Sequence, residues 1–218
     1  MISEARIAQR AGWAVAVGGG LPMGARRMAE RLVEDGATAL ISFGLAGGLD
    51  PSIEAGALIL PRAVLMQNRS FVCDPALFQD LEQEASPVDR VLAGEAVVAR
   101  ASEKASLWQQ HGAAAVDLES GVVAEVAAAR GVPFAVLRAI CDPAWRDLPR
   151  AAVEALDETG RVRPMKMAGI LARHPLDILG LIALGRDAAR ARRSLIRGAE
   201  RLGRLAPRHA DLGLSLGL

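Results

Sequence analysis

Three places in this chain put chemically useful groups at the ends of apolar runs. Asp117 and Glu119 follow Ala113–Val116. Asp142 follows Val132–Ile140. Gly44-Leu45-Ala46-Gly47-Gly48 follows Thr38–Phe43. A carboxyl group can donate or take a proton, and an ionised carboxylate can accept two hydroxyl hydrogen bonds at once. A glycine-lined wall lets backbone N–H groups come close to a ligand. Open α/β sheets bind ligands at the carboxyl ends of their strands, so the three places together read as one carboxylate-lined crevice. Each also has a plainer reading. Asp142 before Pro143 can start a turn, Glu119 can sit in a first helical turn favoured by the dipole, and Gly44–Gly48 can be a tight connection.

Other chemistries find less support. His111, His174 and His209 have no Cys, His or carboxylate at metal-ligand spacing. No G-x-S-x-G elbow is present. Gly18-Gly19-Gly20 matches neither the dinucleotide fingerprint nor a P-loop. Aromatics are 3% of the chain and Tyr is absent, which argues against nucleic-acid binding through stacked bases. Cys73 and Cys141 imply no disulfide framework and fit a reducing cytoplasm.

These groups need elements to hold them. Strands are expected at Trp13–Val17, Thr38–Phe43, Ala57–Leu60 with Ala63–Met66 (broken at Pro61), Val91–Val98, Ala113–Val116 and Val132–Ile140. Helices are expected from Pro22 to Glu34, from Ser102 to His111 and from Gly121 to Arg130. Residues 68–90 carry no clear period. Beyond 150 the pattern is helical at 151–157, 164–173 and Pro175–Leu205, and the Gly/Leu-rich tail from Pro207 is expected to fray. Strands alternating with helices imply an α/β sandwich with parallel pairing.

The bulk properties agree. A chain of 218 residues, 51% hydrophobic and 23% charged, is globular and suits one domain, or one domain with an appendage. The N-terminus carries no signal-peptide pattern, and no apolar run reaches the ~18 residues needed to span a bilayer. Net charge is +1, but residues 186–208 carry eight arginines against Asp187 and Glu200. Such a segment is either a solvated helix face or a surface for phosphate or anionic lipid.

Three segments, in order, resemble a known superfamily. Ile41-Ser42-Phe43-Gly44-Leu45-Ala46-Gly47-Gly48-Leu49, with Gly56, resembles the glycine-rich segment of nucleoside phosphorylases and methylthioadenosine/adenosylhomocysteine nucleosidases. Ala115-Val116-Asp117-Leu118-Glu119-Ser120 resembles their V-(D/E)-M-E-(S/A) ribose motif, and Val136-Leu137-Arg138-Ala139-Ile140-Cys141-Asp142 their V-R-A-I-S-D motif. Order and spacing agree from about residue 4 to 149. The stretch Leu156–Pro164 and the Arg-rich helix resemble the hopanoid-biosynthesis-associated branch, which removes adenine from adenosylhopane.

The resemblance implies a three-layer α/β/α fold with a central mixed sheet. Residues 1–149 would form the core, without the family's first strand, and residues 150–218 a helical extension of the same domain. It implies Asp142 as general acid to purine N7, a role that needs a carboxyl kept protonated by burial or by neighbouring carboxylates. Glu119, with Leu118 beside it, would take the ribose hydroxyls and face the developing oxocarbenium charge. Ala46 and Gly47 would lie against the nucleoside, Val97 and Val98 would flank the purine, and Glu4 would activate water. Val97 stands where an aromatic is frequent, Leu45 where a small or polar residue is common, and Cys141 where the family has Ser. Arg26 and Arg27 follow the Gly18–Gly20 turn, but no clear phosphate-binding pair is evident, so phosphate and water both stand as acceptor. No cofactor is implied beyond phosphate as co-substrate. The expected assembly is a homodimer or higher homo-oligomer, cytoplasmic, with peripheral contact to an anionic membrane. The alternatives are a methylthioadenosine/adenosylhomocysteine nucleosidase, a general purine nucleoside phosphorylase, or a truncated inactive homologue.

Overall fold

Strand β2, Ala39–Gly48, runs through the middle of the molecule, and its sequence explains why. The run is apolar at successive positions, as a strand covered on both faces must be. Ile41 and Phe43 turn to one helical layer, Leu40 and Ala46 to the other. The computed structural model describes residues 14–17, 21–155, 163–175, 177–205 and 212–216, with backbone alone for 14–17, 201–205 and 212–216.

The described strands are β1 (Ala14–Val17), β2, β3 (Leu58–Met66), β4 (Arg69–Val72), β5 (Ser86–Ala93), β6 (Ala115–Asp117), β7 (Phe134–Asp142) and β8 (Leu212–Leu216). The described helices are α1 (Pro22–Glu34), α2 (Pro75–Leu81), α3 (Ala101–His111), α4 (Ser120–Arg130), α5 (Arg150–Glu154), α6 (Pro164–Arg173) and α7 (Asp177–Leu205). One mixed sheet joins the strands. β2 pairs in parallel with β7 and β8 and antiparallel with β6. β3 pairs in parallel with β5 and antiparallel with β4 and β7, while β5 and β6 run parallel. The pairings β2–β7–β3–β5–β6–β2 therefore close a ring. Helices α1 and α4 cover one face through Ala25, Ala29, Val123 and Ala127. Helices α2 and α7 cover the other through Phe78, Leu81, Ala191 and Leu195.

Four expectations change. Gly44–Gly48 is the end of β2 rather than a turn. None of these glycines has the positive φ of a tight turn, a conformation found here at Gly36, Gly56, Gly112 and Gly131. Pro61 does not break β3. On one edge Leu58 and Ile59 pair with β7 and Ala63–Met66 with β4; Pro61 falls between, where only β5 is paired, so its missing N–H removes no bond from that edge. Strand β5 begins at Ser86 and ends at Ala93, so Ala96–Val98 leave the sheet. Within the tail, Leu212–Leu216 forms β8 between β1 and β2 instead of fraying. Segment 150–218 is thus helical only in part.

Candidate active site

Gly47 marks the centre of the crevice. In the sheet register it stands between Asp142 of β7 and Val116 of β6. A Cβ there would stand 3.4 Å from Asp142 Oδ1 and 3.7 Å from Val116 Cγ1, in ordinary contact with both, so the carboxylate lies directly beside this residue. Strand β6 runs antiparallel to β2 and meets only its last two residues, and this brings Leu118 and Glu119 back over the same spot.

A pocket of about 280 Å³ opens here. Small-molecule sites occupy roughly 300–1,000 Å³, so the cavity suits a small organic ligand rather than a macromolecule. Asp142, Glu119 and Leu118 line it, with Ala46 and Gly47 on one wall and Val97 and Val98 on another. Both carboxylates are almost fully buried, at 5% and 4% exposure, while Val97 is half exposed at the rim. Glu4 lies outside the described residues.

Glu119 does not cap the helix it begins: α4 starts with no side-chain cap from that residue. Asp117 does that work, its Oδ1 accepting the backbone N–H groups of Glu119 and Ser120, each at 2.7 Å. Arg138 in turn holds Asp117. Its Nη2 donates to Ser42 Oγ at 2.7 Å and to Asp117 Oδ1 at 3.3 Å. Its Nε lies 3.1 Å from Asp117 Oδ2, a charge contact outside hydrogen-bond alignment. Burial alone would push the Asp117 carboxyl up; the Arg138 charge and the hydrogen bonds outweigh it and hold it below the usual carboxylate value.

The neighbour of Asp142 was not legible in the sequence. It is Lys104 of α3, wholly buried, whose Nζ pairs with Asp142 Oδ2. The same ammonium donates to Pro143 O at 3.0 Å and Arg146 O at 3.1 Å. Of the two conditions named for a proton donor here, burial is met, while the charged group facing the carboxyl is a cation rather than a carboxylate. No sequence signal separated this lysine from a solvated one. Cys141 also touches the site, its Sγ donating to Asp142 Oδ1 at 3.1 Å. Burial first, and then the Asp142 charge, push this thiol well up, so it acts as a neutral donor.

The rest of the lining is largely apolar, with Leu45, Leu148, Ala152, Val153 and Leu184 among it. Ala152, Val153 and Leu184 belong to the C-terminal extension, which therefore builds part of the site. Among the described residues, no group of His, Cys, Asp and Glu is placed to hold a metal ion.

Comparison with known proteins gives the family and supports the fold. A family model described as the phosphorylase superfamily matches residues 7–173. The futalosine hydrolase of Streptomyces coelicolor is 29% identical over 154 residues, which cover 58% of this chain and 65% of that protein, just under two thirds of its length. The 5′-methylthioadenosine/S-adenosylhomocysteine nucleosidase of Neisseria meningitidis, solved with methylthio-immucillin-A, superposes with a TM-score of 0.60 at 17% identity, over 86% of this chain and 79% of that one. The futalosine hydrolase of Helicobacter pylori superposes at 0.58 and 17% identity, over 86% and 76%. These structural likenesses concern the fold.

Proposed function

The chain belongs to the phosphorylase superfamily, and from that premise we propose that it cleaves the N-glycosidic bond of a purine nucleoside and releases adenine. The observation that carries this reading is the placement of Asp142 and Glu119 on one small pocket with Gly47 and Val98. Asp142 gives a proton to purine N7 as the bond from C1′ breaks, and the bonding pair leaves with the base. Glu119 takes the ribose hydroxyls and faces the positive charge that develops on the sugar. Water completes the reaction at C1′. The described lining offers two carboxylates and a thiol but no cationic side chain for phosphate. The carboxylate to take the proton from water is Glu4, by family resemblance.

The aliphatic lining supplied by Leu148, Ala152, Val153 and Leu184 suits a greasy 5′-substituent. This supports adenosylhopane as substrate. A second reading, cleavage of futalosine, is supported by the 29% identity to a futalosine hydrolase. The test is incubation with adenosylhopane, futalosine, methylthioadenosine and adenosine, with and without phosphate. Free adenine from adenosylhopane, independent of phosphate, is the expected result. No base release from any of the four would remove the reading.

A further inference from the structure

We propose that Lys104 is a positioning residue for Asp142, an inference that rests on the reading of Asp142 as proton donor to the leaving base. Lysine is almost never fully buried unless paired, because taking an ammonium out of water is costly. Lys104 is 0% exposed. Its three N–H donors match the three acceptors that surround it: Asp142 Oδ2, Pro143 O and Arg146 O. The ammonium is thereby held at one point, and it holds one carboxylate oxygen. The other, Oδ1, receives only the Cys141 thiol, at 3.1 Å, while both oxygens lie against Gly47, 3.4 and 3.5 Å from where a Cβ would stand. With Oδ2 tied on the α3 side, Oδ1 is the oxygen left to meet a purine.

The same lysine grips the wall beyond Asp142. Pro143–Leu148 is fixed at its start and middle by Lys104 and at its end by Leu148 N donating to Ala99 O at 2.8 Å. Asp147 Oδ1 accepts from Ala101 N at 2.7 Å, and the Arg146 guanidinium pairs with Asp187 of α7. A neutral side chain could hold two carbonyls. A cation adds a charge aimed at the carboxylate. The proton that Oδ1 passes on is taken up from solvent as the nucleoside binds; when the Oδ1–H bond breaks and N7–H forms, the electron pair stays on Asp142, and the ion pair with the fixed ammonium is restored. Such preorganised charge acts mainly in the transition state and so on kcat.

Lys104→Met removes the charge at similar volume. The expected result is a fall of roughly 10- to 100-fold in kcat with KM within about twofold of wild type. In the double variant Lys104→Met/Asp142→Asn, kcat should be no lower than in Asp142→Asn alone, because Lys104 acts through that carboxylate. Should Lys104→Met fail to fold by circular dichroism, Lys104→Arg keeps the charge but not the point geometry, and it should show the same split between kcat and KM. Wild-type kcat in the folded variant, or losses that multiply in the double variant, overturn the proposal while leaving Asp142 in place. If wild type releases no base, or Asp142→Asn loses nothing, the functional reading fails, and this inference with it.

Discussion

Asp142 and Glu119 sit on one pocket, but their surroundings fit them for different tasks. Asp142 is held by an ammonium and a thiol and rests against glycine backbone, so its position is set on every described side. Asparagine keeps that shape and removes the transferable proton. Asp142→Asn should therefore lower turnover by about 10²–10⁴-fold, the usual worth of general acid catalysis, in a chain that still folds by circular dichroism but is less stable because the buried Lys104 ammonium loses its partner. Near-normal base release would remove the acid role. Glu119 begins α4 without capping it, and its carboxylate lines the pocket. A site built to bind a hydroxyl rejects analogues that lack it. Glu119→Gln should raise KM and lower kcat, and 2′-deoxynucleosides should be poor substrates of wild type; equal use of ribo and deoxyribo substrates would count against this role. Most of these side chains were legible because strand ends and motif spacing both point to them. Lys104 was not. Its partner is 38 residues away, and a lysine beside Glu103 on a helix of low amphipathicity reads as solvated. Leu148, Ala152, Val153 and Leu184 were missed for a related reason: aliphatic residues carry no chemical signature, and only the fold of the extension brings them to the pocket.

At the scale of elements, the pair Arg138–Asp117 ties the middle of β7 to the start of α4. Strand β7 carries Arg138 into the core at 1% exposure, and Asp117 caps the helix that delivers Glu119. Gly121, the second residue of α4, lets the helix start approach β5, since a Cβ there would fall 2.5 Å from Ala93 Cβ. The Asp117 carboxyl is held below its ordinary value of 3.8 in the folded chain. A depressed folded value contributes stability above the unfolded value and loses it as pH falls through the folded one. Wild-type stability should accordingly decline below about pH 4. Asp117→Asn should lack that component and cost about 3–5 kcal/mol at neutral pH, as removing one partner of a buried pair does. Urea unfolding at pH 3–7 on both proteins measures this, and equal slopes against pH would refute it. Element type was mostly readable from apolar runs, because strands buried on both faces need them. The errors lie where pairing decides the outcome: Pro61 survives inside β3 because of a gap between β7 and β4, and Leu212–Leu216 becomes a strand because β1 and β2 leave a place for it. Residues 69–81, which alternate neither as strand nor as long helix, become the short β4 and α2.

Across the whole molecule, the long helix α7 divides into two halves. Its 29 residues span about 43 Å. In the second half Ala191, Leu195 and Ala199 pack on the sheet, which accounts for the apolar face there. In the first half Ile178, Leu179 and Ile182 are 51–65% exposed, in the same helix whose Leu184 closes the pocket. Ile178, Ile182 and Arg186 are spaced by four, so the exposed apolar stripe runs into the arginine-bearing face that continues through Arg190, Arg193 and Arg197. Leu176 lies outside the described residues. Among the described residues no helix is long and apolar enough to cross a membrane. An enzyme taking a poorly soluble nucleoside gains from such contact, because its substrate resides in the bilayer. Each Lys or Arg near an anionic surface contributes about 1 kcal/mol, and this attraction is screened as the Debye length shrinks from ~10 Å at 0.1 M salt to ~3 Å at 1 M. The protein should therefore sediment with vesicles containing phosphatidylglycerol, less with pure phosphatidylcholine, and less as salt rises. Arg186→Glu/Arg193→Glu should weaken the salt-sensitive part, and Ile178→Ser/Ile182→Ser the part that survives in salt. Binding to neither vesicle, or binding indifferent to salt and to both variants, would show that this face does not meet lipid, whatever the pocket beneath it cleaves.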